Sequence, residues 1–338
     1  MTDTTFASRP PQEGADDTVQ PFAVSALDVR GRVVRLGPAL DAILDRHAYP
    51  KPVSQLLGEA VALTCLLGSS LKFDGRFILQ TRTDGPVSML VVDYQTPDRI
   101  RACATFDRAA VETMTAEGRA STVALLGRGH LAMTVDQGAD MNRYQGVVAL
   151  DGATLEEVAH AYFAQSEQIP TRVRLAVAEM LTREPGQPPR HAWRAGGILV
   201  QFLPESQDRI RQRDLAPGDA PDASGRPDEF SDDDAWVEAR SLVETVEDLE
   251  LIDPALSSER LLFRLFHERG VRVFETQPVQ DRCRCTRDAV TGMLDQFSAE
   301  EIADMTVDGE IVVTCEFCNT RYHYDPTALK NYAGTAEA

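Results

Sequence analysis

The chain has 338 residues, with 34 Lys plus Arg against 53 Asp plus Glu, a formal net charge of −19. A field of that sign repels polyanions and argues against a general nucleic-acid binder, while 43% hydrophobic content is enough for a sizeable core in at least one of about two domains. No apolar run approaches 18 residues, and the N-terminus lacks the basic start and apolar stretch of a secretory signal, so no membrane span is expected and the cytoplasm is the expected address.

Residues 1–21 are rich in Thr, Pro, Asp and Gln and read as a disordered tail. Structure is expected from Phe22. Two β-leaning runs within Ala23–Leu36 flank Asp28–Gly31 as a hairpin would, and Leu40, Ile43 and Leu44 keep helical spacing across Pro38–His47. Val53–Leu71 is apolar on nearly every face, the pattern of a helix enclosed within a domain. Strand-like segments follow at Arg76–Thr83, Val87–Tyr94, Arg99–Phe106, Gly129–Val135 and Gln145–Leu150, separated by turns such as Asp84-Gly85-Pro86, and they predict an antiparallel sheet. Leu155–Gln165 has helical spacing, and Thr171–Leu181 with Ile198–Leu203 supply further strands. The fold class is therefore α+β, with an N-terminal domain over residues 22–204.

Composition changes over 205–234, where ten acidic residues, four Arg, three Pro and two Gly accompany only Ile210, Leu215 and Phe230 as large apolar side chains. That stretch reads as a flexible acidic insertion. A helical linker is expected over 235–270: Trp236–Ile252 aligns Trp236, Ala239, Val243, Val246 and Leu249 on one helical face, and Ser257–His267 offers Leu261, Leu262, Leu265 and Phe266. The last domain is expected over 271–326, followed by a tail at 327–338.

Four of the six cysteines fall within 36 positions of this last domain, as Cys283-x-Cys285, 29 intervening residues, then Cys315-x-x-Cys318. Two short-spaced thiol pairs on separate segments are how small domains assemble a tetrahedral zinc site, and in a reducing compartment zinc fits better than structural disulfides. The second pair lies between likely strands Glu310–Thr314 and Arg321–Tyr324, as in a zinc knuckle on a hairpin. His323 or His267 replacing a thiolate, and four unrelated cysteines, are the competing readings. Cys65 and Cys103, inside a helix and a strand, read as buried small hydrophobes. His130 and His160 read as structural histidines, Arg143, Tyr144 and Arg172 as packing residues, and no catalytic residue is nominated.

Metal-held thiolates are nucleophiles. Peroxide or hypochlorous acid reaching one makes a sulfenic acid, which a neighbouring thiol resolves as a disulfide at the expense of the metal site. Because zinc binding contributes ~10–16 kcal/mol in zinc-finger peptides and is coupled to their folding, its loss would unfold a small domain. Two other classes use similar motifs. A thiol-disulfide oxidoreductase places Cys-x-x-Cys at a helix N-terminus, which the strand-flanked Cys315–Cys318 does not, and a zinc-ribbon nucleic-acid module needs clustered cations, whereas Arg282, Arg284 and Arg287 are answered by Asp281, Asp288, Asp295, Glu300, Glu301 and Asp304. No phosphate loop is present, so ATPase activity is not expected.

Together with Tyr49–Val53 (YPKPV), Leu71–Gly75 (LKFDG), Asp84-Gly85-Pro86, Arg143–Val147 (RYQGV), Ser166–Arg172 (SEQIPTR) and an Ala195-Gly196-Gly197 turn, the cysteine pattern resembles the 33-kDa heat-shock protein family over about Phe22–Pro326. The resemblance implies a cytosolic, ATP-independent holdase: an α+β domain, a helical linker and a zinc domain, inactive with one zinc per reduced chain. It further implies that oxidation joins Cys283 with Cys285 and Cys315 with Cys318, releases zinc, unfolds the C-terminal region and linker, and exposes a surface that binds unfolding clients. The active form, often a homodimer, would pass clients to ATP-dependent foldase chaperones. The long N-terminal tail and the acidic insertion depart from the family pattern. The client-binding surface is expected on the apolar faces of Trp236–Ile252 and Ser257–Phe266.

Overall fold

The structure, a computed structural model, describes residues 16–71, 74–138, 143–182, 188–203 and 233–330. It divides into two compact units, 1–281 and 282–338. Fold class is α+β, as expected. Residues 1–15, most of the acidic insertion (204–232) and 331–338 lie outside the described residues.

The first unit is built around α2 (Lys51–Gly68), whose residues from Val53 onward are almost all buried. Pro50 and Pro52 start this helix where missing N–H donors do no harm, and the β-leaning residues that would oppose it are few. One sheet packs on each side of it. The first runs β10-β1-β2-β9-β8, with β11 also paired to β1; its strands are β1 (Thr18–Val24), β2 (Val29–Leu36), β8 (Thr171–Thr182), β9 (Arg190–Phe202), β10 (Arg272–Val273) and β11 (Gln277–Pro278). The second runs β12-β5-β4-β3-β6-β7, made by β3 (Arg76–Thr83), β4 (Val87–Gln95), β5 (Arg99–Phe106), β6 (Arg128–Asp136), β7 (Tyr144–Asp151) and β12 (Gln280–Asp281). Pairing is antiparallel throughout except that β12 lies parallel to β5. Helices α1 (Pro38–Asp45) and α5 (Leu155–Tyr162) complete the central layer, and α3 (Arg108–Ala116) and α4 (Thr122–Leu126), which the sequence reading passed over, follow β5. One continuous apolar core joins α2 to the inner faces of both sheets.

The far face of the first sheet carries a second core, roofed by α6 (Asp234–Glu244), α7 (Asp248–Ile252) and α8 (Ser258–Phe266). These are the linker helices, and they belong to the first unit. Trp236, Ala239, Val243, Val246, Leu261, Leu262, Leu265 and Phe266 are buried against Phe22, Val24, Val29, Val33, Ile198 and Val200. The single helix expected over Trp236–Ile252 is broken at Thr245–Glu247, because Glu247 and Glu250 form a capping box that starts α7 afresh. The break turns Leu249, expected on the apolar face, into solvent at 68% exposure.

Two buried arginines hold α7 in place. Arg35 donates to the carbonyls of Glu250 (2.8 Å), Leu251 (3.3 Å) and Asp253 (3.0 Å), and Arg194 donates to Ile252 O (2.8 Å) while pairing with Asp16. Four carbonyls at a helix C-terminus thereby accept from cations, Asp253 O also receiving the Leu256 N–H at 3.2 Å. Gly196 is not in a turn, as its Ala-Gly-Gly setting suggests, but inside β9, where a Cβ would collide with the Leu251 carbonyl.

Three boundaries differ from the sequence reading. Regular structure is already present before Phe22: Asp17 accepts from the Gly37 and Ala39 N–H groups (2.9 and 3.0 Å), and Thr18–Val24 is a strand with Val19, Phe22 and Val24 buried, a pattern diluted in the polar composition around it. At the other end, residues 272–281 are strands of the first unit rather than the start of the last domain, and Leu329, placed in the tail, is buried in the second unit's core.

Candidate metal centre

The second unit is small. Helices α9 (Arg287–Leu294) and α10 (Ala299–Met305), absent from the sequence reading because they are short and carry few apolar residues, are capped by Thr286 and by a Ser298–Glu301 capping box. Strands β13 (Ile311–Thr314) and β14 (Arg321–Tyr324) pair antiparallel, Ile311 opposite Tyr324 and Thr314 opposite Arg321. Among its described residues the buried hydrophobic cluster is Leu294, Ile302, Ile311, Tyr324 and Leu329, with Val290, Phe297, Met305, Val313 and Tyr322 partly buried against it. A cluster that small is too little to hold a domain of this size without a staple.

The four C-terminal cysteines come together beside this core. Cys315 directly follows β13, and the loop back to β14 is closed by Asn319 N–H to Cys315 O (2.8 Å) and Cys315 N–H to Thr320 O (3.0 Å), with Asn319 in the left-handed region (φ 56°). Cys283 and Cys285 approach from the irregular segment before α9. All four Sγ atoms lie within 4.8 Å of one another, with Cys283 to Cys315 at 3.7 Å and Cys285 to Cys318 at 3.2 Å. A zinc ion with four bonds of about 2.3 Å has sulfur–sulfur edges of about 3.8 Å, so the donor set and its spacing suit a tetrahedral thiolate site. The thiols are half-buried, within reach of small oxidants.

The surroundings act on the sulfurs in both directions. Burial pushes the Cys285 thiol up to about 12, against a hydrogen bond donated by Tyr322 Oη to its Sγ at 3.2 Å. Burial also raises Cys315, partly offset by the Cys318 and Phe317 backbone N–H groups directed at it. Burial acts upward on Cys318 too, but hydrogen bonds with the Thr320 side chain and backbone and with its neighbouring thiols bring it down to about 6. Such N–H and O–H groups are the outer-shell partners of a metal-bound thiolate.

Neither histidine joins the site. His323 is exposed on β14 with Nδ1 3.1 Å from Glu310 Oε2, and His267 Nδ1 lies 3.1 Å from Phe263 O in the first unit. The alternation of β14 explains the difference: Tyr322 and Tyr324 face inward, Arg321 and His323 outward. Tyr322 and Thr320 are the functional neighbours the sequence reading missed, although that same alternation could have flagged Tyr322. Arg287, grouped by sequence with Arg282 and Arg284, stacks over Tyr324 at 4.5 Å and donates to His323 O at 2.7 Å. Cys65 and Cys103 are buried in α2 and β5, and burial pushes the Cys65 thiol far up. His160 accepts from Val173 N–H at 2.9 Å, and burial lowers it to about 4, consistent with a structural role.

Fold and site together define a class: a layered α+β body roofed by linker helices, followed by a small unit whose four thiols are placed to share one ion. The family model described as Hsp33 protein matches residues 17–325. A relative from Caulobacter vibrioides named 33 kDa chaperonin is 48% identical over 92% of this chain and 95% of its own length, and one of that name from Ectopseudomonas mendocina is 36% identical over 92% of both. A crystal structure of the 33 kDa chaperonin (heat shock protein 33 homolog) from Thermotoga maritima has the same fold, with a TM-score of 0.69 at 20% identity over 92% of this chain and 96% of that one. The chain belongs to the Hsp33 family, and that membership supports a chaperone role. Among the described residues no helix is long and apolar enough to cross a membrane.

Proposed function

We propose that the chain is a redox-regulated, ATP-independent cytoplasmic holdase, inactive while Cys283, Cys285, Cys315 and Cys318 hold one zinc ion. The observation that carries this reading is the meeting of four half-buried sulfurs, all within 4.8 Å, in a unit whose described residues form only a small buried hydrophobic cluster. When bound, the ion keeps the sulfurs deprotonated and ties the 283–285 segment to the β13–β14 hairpin.

Oxidation attacks that tie directly. Each hydrogen peroxide takes two electrons from one thiolate pair, leaving an S–S bond and, with two protons, two waters. Joining Cys283 to Cys285 and Cys315 to Cys318 links neighbours in sequence only, so no covalent bond replaces the metal's hold between the two segments. The second unit then unfolds, the linker helices loosen, and the apolar faces of α6, α7 and α8 become available to unfolding clients. In this reading the oxidised chain, as a homodimer, holds clients until ATP-dependent foldases take them.

The test is zinc quantification and aggregation suppression on one preparation, before and after peroxide or hypochlorous acid with mild heat. One zinc per reduced chain, its loss on oxidation, and suppression only afterwards are expected. Equal suppression by the reduced, zinc-loaded chain refutes the switch. Hydrogen exchange provides the second arm: α6–α8 are expected to lose protection when zinc is released, and their continued protection refutes exposure of the linker.

A further inference from the structure

Residues 272–281 run as a strap along two sheet edges of the first unit. At the first, β10 and β11 lie outside β1, pairing Phe22 with Val273 and Thr18 with Pro278. At the second, β12 lies outside β5, pairing Gln280 with Arg99. The strap is held through its backbone: Phe274 N–H donates to Pro21 O (3.0 Å), Val279 N–H to Asp17 O (2.7 Å) and Gln280 N–H to Asp98 O (2.6 Å). Side chains add clasps: Gln20 donates to Phe274 O (2.6 Å) and accepts from Thr276 Oγ1 (2.6 Å), Gln280 Nε2 donates to Asp98 Oδ2 (2.7 Å), and Asp281 pairs with Arg46 at the strap's end.

Its packing is slight by comparison. Val279 is the strap's one buried side chain, at 3% exposure, whereas Val273 and Phe274 stand 42% and 43% exposed. Beside it lies an open pocket of about 660 Å³, lined by Ser69, Tyr94, Thr96 and Pro97 of the body and by Glu275–Pro278 of the strap. A segment held by edge hydrogen bonds and one terminal ion pair, with a single buried side chain and an open pocket beside it, opens at lower cost than the core strands. The residue after the strap's last is Arg282, one position before the first metal-competent cysteine.

We infer that the strap occupies a strand-accepting site, and that the β1 and β5 edges it covers receive extended segments of unfolded client chains when it leaves. Unpaired strand edges are templates for any extended backbone, largely independent of its sequence, and an incoming segment needs only a small apolar side chain where Val279 sits. Unfolded proteins supply that chemistry in quantity. The inference rests on the holdase reading and adds to it a backbone-directed client site besides the linker helices.

The experiment uses the full chain carrying Phe274→Pro and Val279→Pro, which delete two strap donors, with Phe274→Ala as the control that keeps its N–H. The probe is a labelled peptide of sequence RVFETQPVQD, plain or N-methylated at the same two nitrogens. The reduced double variant is expected to bind the plain peptide, the reduced wild type and control are not, and N-methylation is expected to weaken binding roughly tenfold or more. Unfolded carboxymethylated α-lactalbumin is expected to displace the peptide. Equal binding of the two peptides, or no displacement, overturns the inference even if the oxidised wild type suppresses aggregation; failure of that suppression instead overturns the holdase reading. If the double variant does not fold, hydrogen exchange on the oxidised wild type decides: residues 18–24 and 99–106 should lose protection on oxidation and regain it with unfolded protein, and edges that stay unprotected overturn strand addition.

Discussion

Replacing Phe266 by Ala tests whether linker docking is a packing equilibrium that can be tipped without touching the thiols. Phe266 is fully buried at the centre of the second core, its ring 5.7 Å from that of Phe22 on β1. Removing a ring from such a site costs ~3–5 kcal/mol in lost transfer energy and residual cavity. Phe263, three residues earlier on the same helix, is 64% exposed, and its removal should stay within ~0.5 kcal/mol. Against a total domain stability of about 5–15 kcal/mol, the first loss is a large fraction and the second is negligible. Urea unfolding of the reduced, zinc-loaded variants should show a clear drop in midpoint for Phe266→Ala alone. Hydrogen exchange should localise the loss to α6–α8, and this variant should suppress client aggregation without oxidant. Equal midpoints for the two variants, or an undocked linker with no gain in suppression, would refute the reasoning.

Three further outcomes follow from the geometry. Cys318→Ser is expected to lower zinc stoichiometry and unfold residues 282–330 while leaving the first unit's thermal transition in place, read by zinc titration and calorimetry. His323→Ala is expected to leave zinc stoichiometry unchanged, since that imidazole faces Glu310 rather than the sulfurs; loss of zinc would restore histidine as a ligand. Glu59 on α2 is pushed up to about 8, first by burial and then by the Glu156 and Asp248 carboxylates, from an ordinary value of 4.5. The folded state therefore holds a proton that the unfolded chain has released, so this contribution to stability is full below about pH 4.5 and declines as pH rises towards 8. Glu59→Gln should flatten that decline in urea midpoints, and an unchanged slope would assign it to other groups.

Much of the fold was legible because its signals are local and strong. A helix apolar on every face, α2, has no surface reading, and strands β3 and β5 matched their alternating runs at both ends. Cysteine spacing announced the four-thiol cluster because few other chemistries need two close thiol pairs. What escaped depended on tertiary partners. Two-residue strands such as β10, β11 and β12 have no periodicity to read, and they exist because β1 and β5 offer edges. The break between α6 and α7 rests on an uncommon Glu N-cap, which no list of favoured capping residues anticipates. Arg35 and Arg194 look like solvent-facing cations in sequence, yet they are buried by the helix end they clamp.

Gly196 gives that clamp a steric counterpart. The seat for α7 on β9 is cut to backbone clearance, with the Leu251 carbonyl in the space any side chain at 196 would claim. One methyl group there is a wedge. It would lift the helix terminus off both guanidinium groups at once, arriving through shape alone at the undocked arrangement proposed above for the oxidised chain. Gly to Ala is a single nucleotide change, so one inherited base would undock α7 and leave the four clustered thiols untouched.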